Sequence, residues 1–180
     1  GGAGGQLPPM PYRVSEEMAT YFRPRPGWEE LHSPDVLPTF IPWLENGVVP
    51  DTGFYGLPMV SSMGVKVATH YWGPTVSPDS RKGFTARHAQ MADSCMRLVA
   101  SVFPGLERRP CAAVRCLYSI TPDKDFYIGT LPRDERFVVA AGFSGHGFKF
   151  APAVGEAVAD LALGQPTALP MDLFRLDRFD

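Results

Sequence analysis

The chain has 180 residues, 44% of them hydrophobic, and a formal net charge of −2. That length can bury one sizeable core, and no basic surplus points to nucleic acid or an anionic membrane as a partner. The apolar runs are far shorter than a bilayer span, which argues against an integral membrane protein.

Residues 1–10, opening on Gly1-Gly2-Ala3-Gly4-Gly5, read as a cut end or a linker, with neither an initiator Met nor a signal-peptide pattern. Up to Pro50 the chain is rich in proline, which bars long helices and central strands. Pro11 to Phe22 reads as an extended segment, and an edge-type strand is expected around Phe40, within Thr39 to Leu44. Two β patterns, Phe54–Val60 and Met63–Trp72, predict a hairpin. In the second, Gly64, Lys66, Ala68 and His70 share one face, and Val65, Val67, Thr69 and Tyr71 take the other.

The strongest helix runs from Thr85 to Val102, with Ala89, Ala92, Met96, Val99 and Ala100 at helical spacing and Pro104-Gly105 as its stop. Ala112 to Ile120 predicts a strand with Val114, Cys116 and Tyr118 on one face. Phe126–Gly129 and Phe137–Ala141 read as short buried strands, and Asp123, Lys124 and Asp125 as a solvated charged turn. A closing helix over Val154–Leu163 is expected to end at Gly164, with Pro166 beyond. No internal repeat and no second domain are visible, and the order of elements predicts an α+β fold.

Three cysteines, Cys95, Cys111 and Cys116, make no even-numbered disulfide framework, and the four histidines are scattered. A reducing, cytoplasmic setting (or a peroxisome, in a eukaryote) and no structural metal are expected. The segment Gly142 to Phe150 carries three glycines among a histidine, a lysine and three phenylalanines, between an apolar run and a helical pattern. Such a turn brings backbone N–H groups and a helix N-terminus close to a flat or anionic ligand. The spacing is neither a phosphate loop nor the dinucleotide fingerprint, so a purely structural turn stays open. By residue type alone, Cys116 reads as a buried structural thiol and Lys66 as a snorkelling surface lysine, and Tyr55 and Tyr118 could equally be core packing.

The run GFSGHGFKFAPAVGE, preceded by RCLYSITPDKDFYIG, resembles the C-terminal half of the monomeric sarcosine oxidase family. That family includes N-methyltryptophan and pipecolate oxidases, within the wider D-amino-acid-oxidase-like flavoproteins. Spaced motifs agree in order from about Leu7 to Phe179. The resemblance implies an FAD-dependent amine oxidase acting on N-methyl or cyclic secondary amino acids, with oxygen as acceptor and an imine and hydrogen peroxide as products. It divides the chain into a substrate-domain portion, 11–135, with an antiparallel or mixed sheet, and a strand–turn–helix portion, 136–180, contributing to the FAD site. The N-terminal βαβ unit of the family has no counterpart here, so its FAD-binding half is an implied partner.

The resemblance also implies roles. Cys116, in Cys116-Leu117-Tyr118-Ser119, matches the cysteine that carries FAD covalently. Lys66, in the G-x-K-x-x-x-H setting with His70, matches the lysine that speeds reaction with oxygen; His70 lies roughly 13 Å further along the strand and is expected to line the cavity. Tyr55 and Tyr118 match substrate-lining tyrosines. Lys149 matches the cation that grips the substrate carboxylate, and Gly145, His146, Gly147 and Phe148 would run beside the flavin ring. A subunit of a split flavin oxidase and a non-catalytic ligand-binding remnant are the alternatives. Arg23 to Leu37 departs from the family pattern, which leaves the particular amine unnamed.

Overall fold

A computed structural model describes residues 8–42, 53–77, 79, 83–132 and 134–180. The fold is α+β. Strands β1 (Arg13–Phe22), β2 (Phe54–Leu57), β3 (Val65–Thr69) and β4 (Ala112–Ile120) form a sheet in the order β2-β3-β1-β4. Helix α1 (Ala86–Val102) lies between β3 and β4 in sequence, and β5 (Tyr127–Leu131), β6 (Asp134–Ala141) and α2 (Ala151–Ala162) follow. The chain separates into two compact units, Ser15–Leu117 and Tyr118–Asp180, the latter with the N-terminal segment ending at Val14. No linker composition marks this divide, because it falls inside β4.

In the Ser15–Leu117 unit the predicted hairpin forms: β2 and β3 pair antiparallel, with Tyr55 opposite Ala68 and Leu57 opposite Lys66. Val65 and Val67 are fully buried and Lys66 is half-buried, but the burial does not alternate along the whole strand, since Ala68 on the lysine's face is buried as well. Phe40 makes only an isolated bridge to Gly56; Trp43 and Leu44, the rest of the expected edge strand, lie outside the described residues. The extended segment after Pro11 becomes an inner strand, pairing with β3 from Ala19↔Ala68 to Phe22↔Val65. The core joins Phe22, Phe54, Val65 and Val67 of the sheet to Cys95, Leu98 and Val99 of α1.

Helix α1 ends at Val102 as expected, and its buried face agrees with the predicted one in part: Val99 is buried, Ala92 and Met96 are half-buried, and Met96 packs against the core. Ala89 and Ala100 are exposed, while His88, Met91, Ser94, Cys95, Leu98 and Val99 face inward. The polar His88 and Ser94 disguise the true stripe. His88 is buried because it is used: its Nδ1 accepts the Thr85 N–H at 3.0 Å in a capping box, with histidine in place of the usual Glu or Gln.

In the other unit β5 and β6 form an antiparallel ribbon, Tyr127↔Ala141 to Thr130↔Val138, with α2 packed on it. The Phe137–Ala141 strand is less buried than its apolar composition predicts. Phe137 is 57% exposed and Val138 and Val139 only half-buried, because α2 covers one face of a two-stranded ribbon. Gly164 ends the last helix as expected: at φ +66 it donates to Leu161 O at 3.1 Å, and Gln165 donates to Asp160 O at 2.8 Å, the paired bonds of a Schellman motif.

The charged turn after Pro122 is more than a solvated loop. Arg178 donates to both carboxylate oxygens of Asp123, at 2.7 and 3.0 Å, and Asp123 Oδ1 also accepts from Thr121 Oγ1 and the Asp125 N–H. The Arg178 guanidinium thereby lowers the Asp123 carboxyl to about 2. A depressed carboxylate stabilises the fold above its ordinary pKa, and that contribution disappears as pH falls through about 2. Asp123→Asn is therefore expected to cost roughly 1–2 kcal/mol at pH 7, allowing for screening at a carboxylate about a third exposed. Urea unfolding at pH 7 and pH 2 checks this; an undiminished difference at pH 2 would count against it.

Candidate active site

In the Ser15–Leu117 unit, three of the sequence-predicted residues converge on the β2–β3 hairpin. Tyr55 faces Ala68 across the ladder, so Lys66 and His70 are its diagonal neighbours on the same face. Lys66 Nζ stands 5.0 Å from the centre of the Tyr55 ring. The His70 ring meets Tyr55 edge-on at 5.8 Å and lies 3.8 Å from the Tyr71 ring. Lys66 and His70 are thus joined through the tyrosine between them. The lysine stem runs between Leu57 and Tyr21, its register partners on either side, which fixes a cation against an aromatic face on a rigid element.

The three cysteines differ in a way that bears on reactivity. Cys95 is buried, and burial raises its thiol to about 11, so it stays protonated and packs. Cys111 is exposed, with its Sγ 3.3 Å from Tyr21 O and 3.1 Å from Met63 O. Cys116, on β4, is of intermediate burial and not in a disulfide.

In the other unit, the glycine-rich turn is built against the end of β4. Gly142, Ser144 and Gly145 all have positive φ, at +64, +50 and +77. Ser144 supports this unusual backbone: its N–H donates to Ser119 O at 3.0 Å, and its buried hydroxyl donates to Gly142 O at 3.1 Å. Gly145 has no substitute, since a Cβ there would lie 2.2 Å from the Tyr118 ring. Tyr118 is itself buried, so one of its ring faces is spent on that turn. His146 Nε2 donates to Lys124 O at 3.0 Å, and its ring packs 5.1 Å from Phe126. Gly147 fits beneath the Phe143 side chain. Phe148 is 96% exposed, and the exposed Lys149 has its Nζ 5.0 Å from the Phe150 ring.

Residue patterns did not reveal a buried charged group in β1. Glu16 and Glu17 are each 1% exposed. Glu16 Oε2 lies 3.3 Å from His88 Nε2 and 3.4 Å from Arg115 Nη1. Glu17 accepts the Trp72 and Gly73 N–H groups. Two adjacent glutamates inside an otherwise apolar strand pattern are the one sequence signal for them. Among the described residues, no cluster of His, Cys, Asp and Glu could hold a metal ion, and no helix is long and apolar enough to cross a membrane.

The chain is 36% identical to a monomeric sarcosine oxidase of Streptomyces avermitilis over 170 residues, 92% of this chain and 42% of that protein. It is 39% identical to an N-methyl-L-tryptophan oxidase of Salmonella agona over 127 residues, 70% of this chain and 33% of that protein. The chain therefore spans about a third to two fifths of the length of these curated relatives. Among solved structures, L-proline dehydrogenase from P. horikoshii superposes with a TM-score of 0.70 at 23% identity, covering 96% of this chain and 41% of that one. NikD, an amino acid oxidase of nikkomycin biosynthesis, gives 0.68 at 21% identity, covering 94% and 43%. At those identities the structural likeness speaks for the fold. The family described as DAO, FAD dependent oxidoreductase, matches residues 1–161, and with nine tenths of its length inside that match the chain belongs to the DAO family.

Proposed function

We propose that this chain is the C-terminal part of an FAD-dependent amine oxidase acting on N-methyl or cyclic secondary amino acids, with oxygen as acceptor and an imine and hydrogen peroxide as products. The observation that carries this reading is the Tyr55–Lys66–His70 cluster, an ammonium 5.0 Å from an aromatic ring on a rigid hairpin. The relatives support the substrate class: sarcosine and N-methyl-L-tryptophan, for which they are named, are both N-methyl amino acids.

Family membership implies FAD, and the donor set fits it. Cys116 is a half-buried cysteine on a strand, outside any disulfide, Gly145 is an exposed glycine in a turn of positive φ, and Lys149 is an exposed cation. When bound, flavin supplies the two-electron acceptor for the carbon next to nitrogen and passes those electrons to oxygen. The chain's residues do the rest. Cys116 would tether the cofactor, and Gly145 to Phe148 would help hold its ring. Tyr55 and Tyr118 give apolar walls for the amine, with His70 lining the site. Lys149 pairs with the substrate carboxylate and so orients the reacting C–H. Lys66 keeps positive charge where negative charge develops on oxygen.

Lys149→Ala tests the reading directly. Loss of one charge-assisted hydrogen bond to a charged ligand costs on the order of 1.5–3 kcal/mol, more than tenfold in affinity. In the complete flavoprotein, carboxylate-bearing amines and simple carboxylate inhibitors should weaken by that factor. Amines without a carboxylate should bind nearly as before. Equal loss for both ligand classes, or none for carboxylates, would remove Lys149 from this role.

A further inference from the structure

We propose that Glu17 is a positioning residue for His70, holding a strained turn that presents the imidazole to Tyr55 beside Lys66; the use made of His70 rests on the oxidase reading, the positioning does not. Tyr71 has φ +59, a conformation uncommon for a bulky side chain that persists only where the surroundings over-determine it. They do so here. Glu17 Oε2 accepts the N–H of Trp72 at 3.2 Å and of Gly73 at 2.9 Å, while its Oε1 accepts the Ser15 hydroxyl at 2.7 Å.

Arg87 closes the other side of the turn. Its Nε donates to Trp72 O at 2.9 Å, and its guanidinium lies 4.2 Å from the indole centre. The Glu16 N–H donates to Pro74 O at 2.9 Å. Gly73 fits so tightly that a Cβ would lie 2.2 Å from Glu16 O and 2.9 Å from Glu17 Cδ. Residues 72–74 are thus pinned to β1, while the His70 N–H donates to Gly53 O at 3.2 Å. Tyr71 bridges these two anchors, and the His70 ring is set between Tyr71 and Tyr55.

The 1% exposure of Glu17 makes sense in this light, because a buried carboxylate is kept where its acceptor oxygens are used. An apolar side chain of the same size would leave the Trp72 and Gly73 donors unsatisfied. The turn would then relax and carry His70 away from Tyr55.

The test reads the His70 ring-proton resonances by NMR in the complete protein, where the neighbouring tyrosine rings displace them from solvent-exposed values. Glu17→Leu should return them toward those values. Glu17→Gln, which keeps an oxygen for the two N–H groups, should leave them in place. Resonances unmoved in Glu17→Leu would overturn the proposal. If that variant does not fold, hydrogen exchange in the unsubstituted protein decides. Trp72 and Gly73 amides should exchange about tenfold or more slower than those of exposed Ser61 and Ser62, as a hydrogen bond to a charged group implies. Equal rates would overturn it. Flavin reoxidation separates the two readings. Slowing in Glu17→Leu but not in Glu17→Gln supports both. His70 resonances that return toward solvent-exposed values in Glu17→Leu, with unchanged oxidation and reduction rates, support the positioning and overturn the catalytic use of His70.

Discussion

Acid precipitation of the complete flavoprotein should leave its yellow colour in the pellet, and Cys116→Ser should release that colour to the supernatant. The effect is all-or-none because a thioether survives denaturation and non-covalent contacts do not. Three cysteines are available, and the structure separates them. Cys95 is buried with its thiol raised to about 11, which withholds the thiolate a nucleophile needs. Cys111 has its Sγ within reach of two backbone carbonyls. Cys116, of intermediate burial on β4, stands in the Cys-x-Tyr-Ser context. Cys95→Ser and Cys111→Ser should keep the colour in the pellet. Colour that washes out of the unsubstituted protein would sink the assignment, whatever the variants do.

Lys66→Met should slow reoxidation of the reduced flavin by oxygen about a hundredfold, the size of loss seen when one preorganised electrostatic group is removed. Reduction by substrate should change far less. The asymmetry follows from where charge appears: a single fixed cation matters most as negative charge forms on oxygen, and in water-poor surroundings it is weakly screened. Methionine keeps the apolar stem that runs between Leu57 and Tyr21, so the hairpin should survive. Stopped-flow traces of the two half-reactions separate the effects. Equal slowing of both would assign Lys66 to structure or to substrate positioning, and the cation over Tyr55 would then be a packing feature only.

Some of this was written in local sequence. Alternation over Met63–Trp72 set the half-buried Lys66 opposite the buried Val65 and Val67, because a strand's period depends only on backbone geometry, although Ala68 on the lysine's face is buried too. Gly164 marked the end of α2, since the left-handed position a helix stop requires is a local need that glycine meets without a Cβ. Pro104-Gly105 stopped α1 for similar local reasons. The glycine-rich turn and the Cys116-x-Tyr118 pair were legible as motifs.

What only the tertiary structure decided was the fate of polar side chains. Glu16 and Glu17 are both buried, because their partners come from far along the chain: His88 and Arg115 for the first, Trp72 and Gly73 for the second. His88 and Ser94 lie on the inner face of α1 while Ala89 and Ala100 face out, so the apolar stripe alone caught Val99 and Met96 but not the whole inner face. Asp123 read as a solvated turn residue until Arg178, 55 positions away, proved to hold it. Residue type and period determine which face of an element can be apolar. Whether a charge can be buried depends on a partner that satisfies it, and that partner is chosen by the fold.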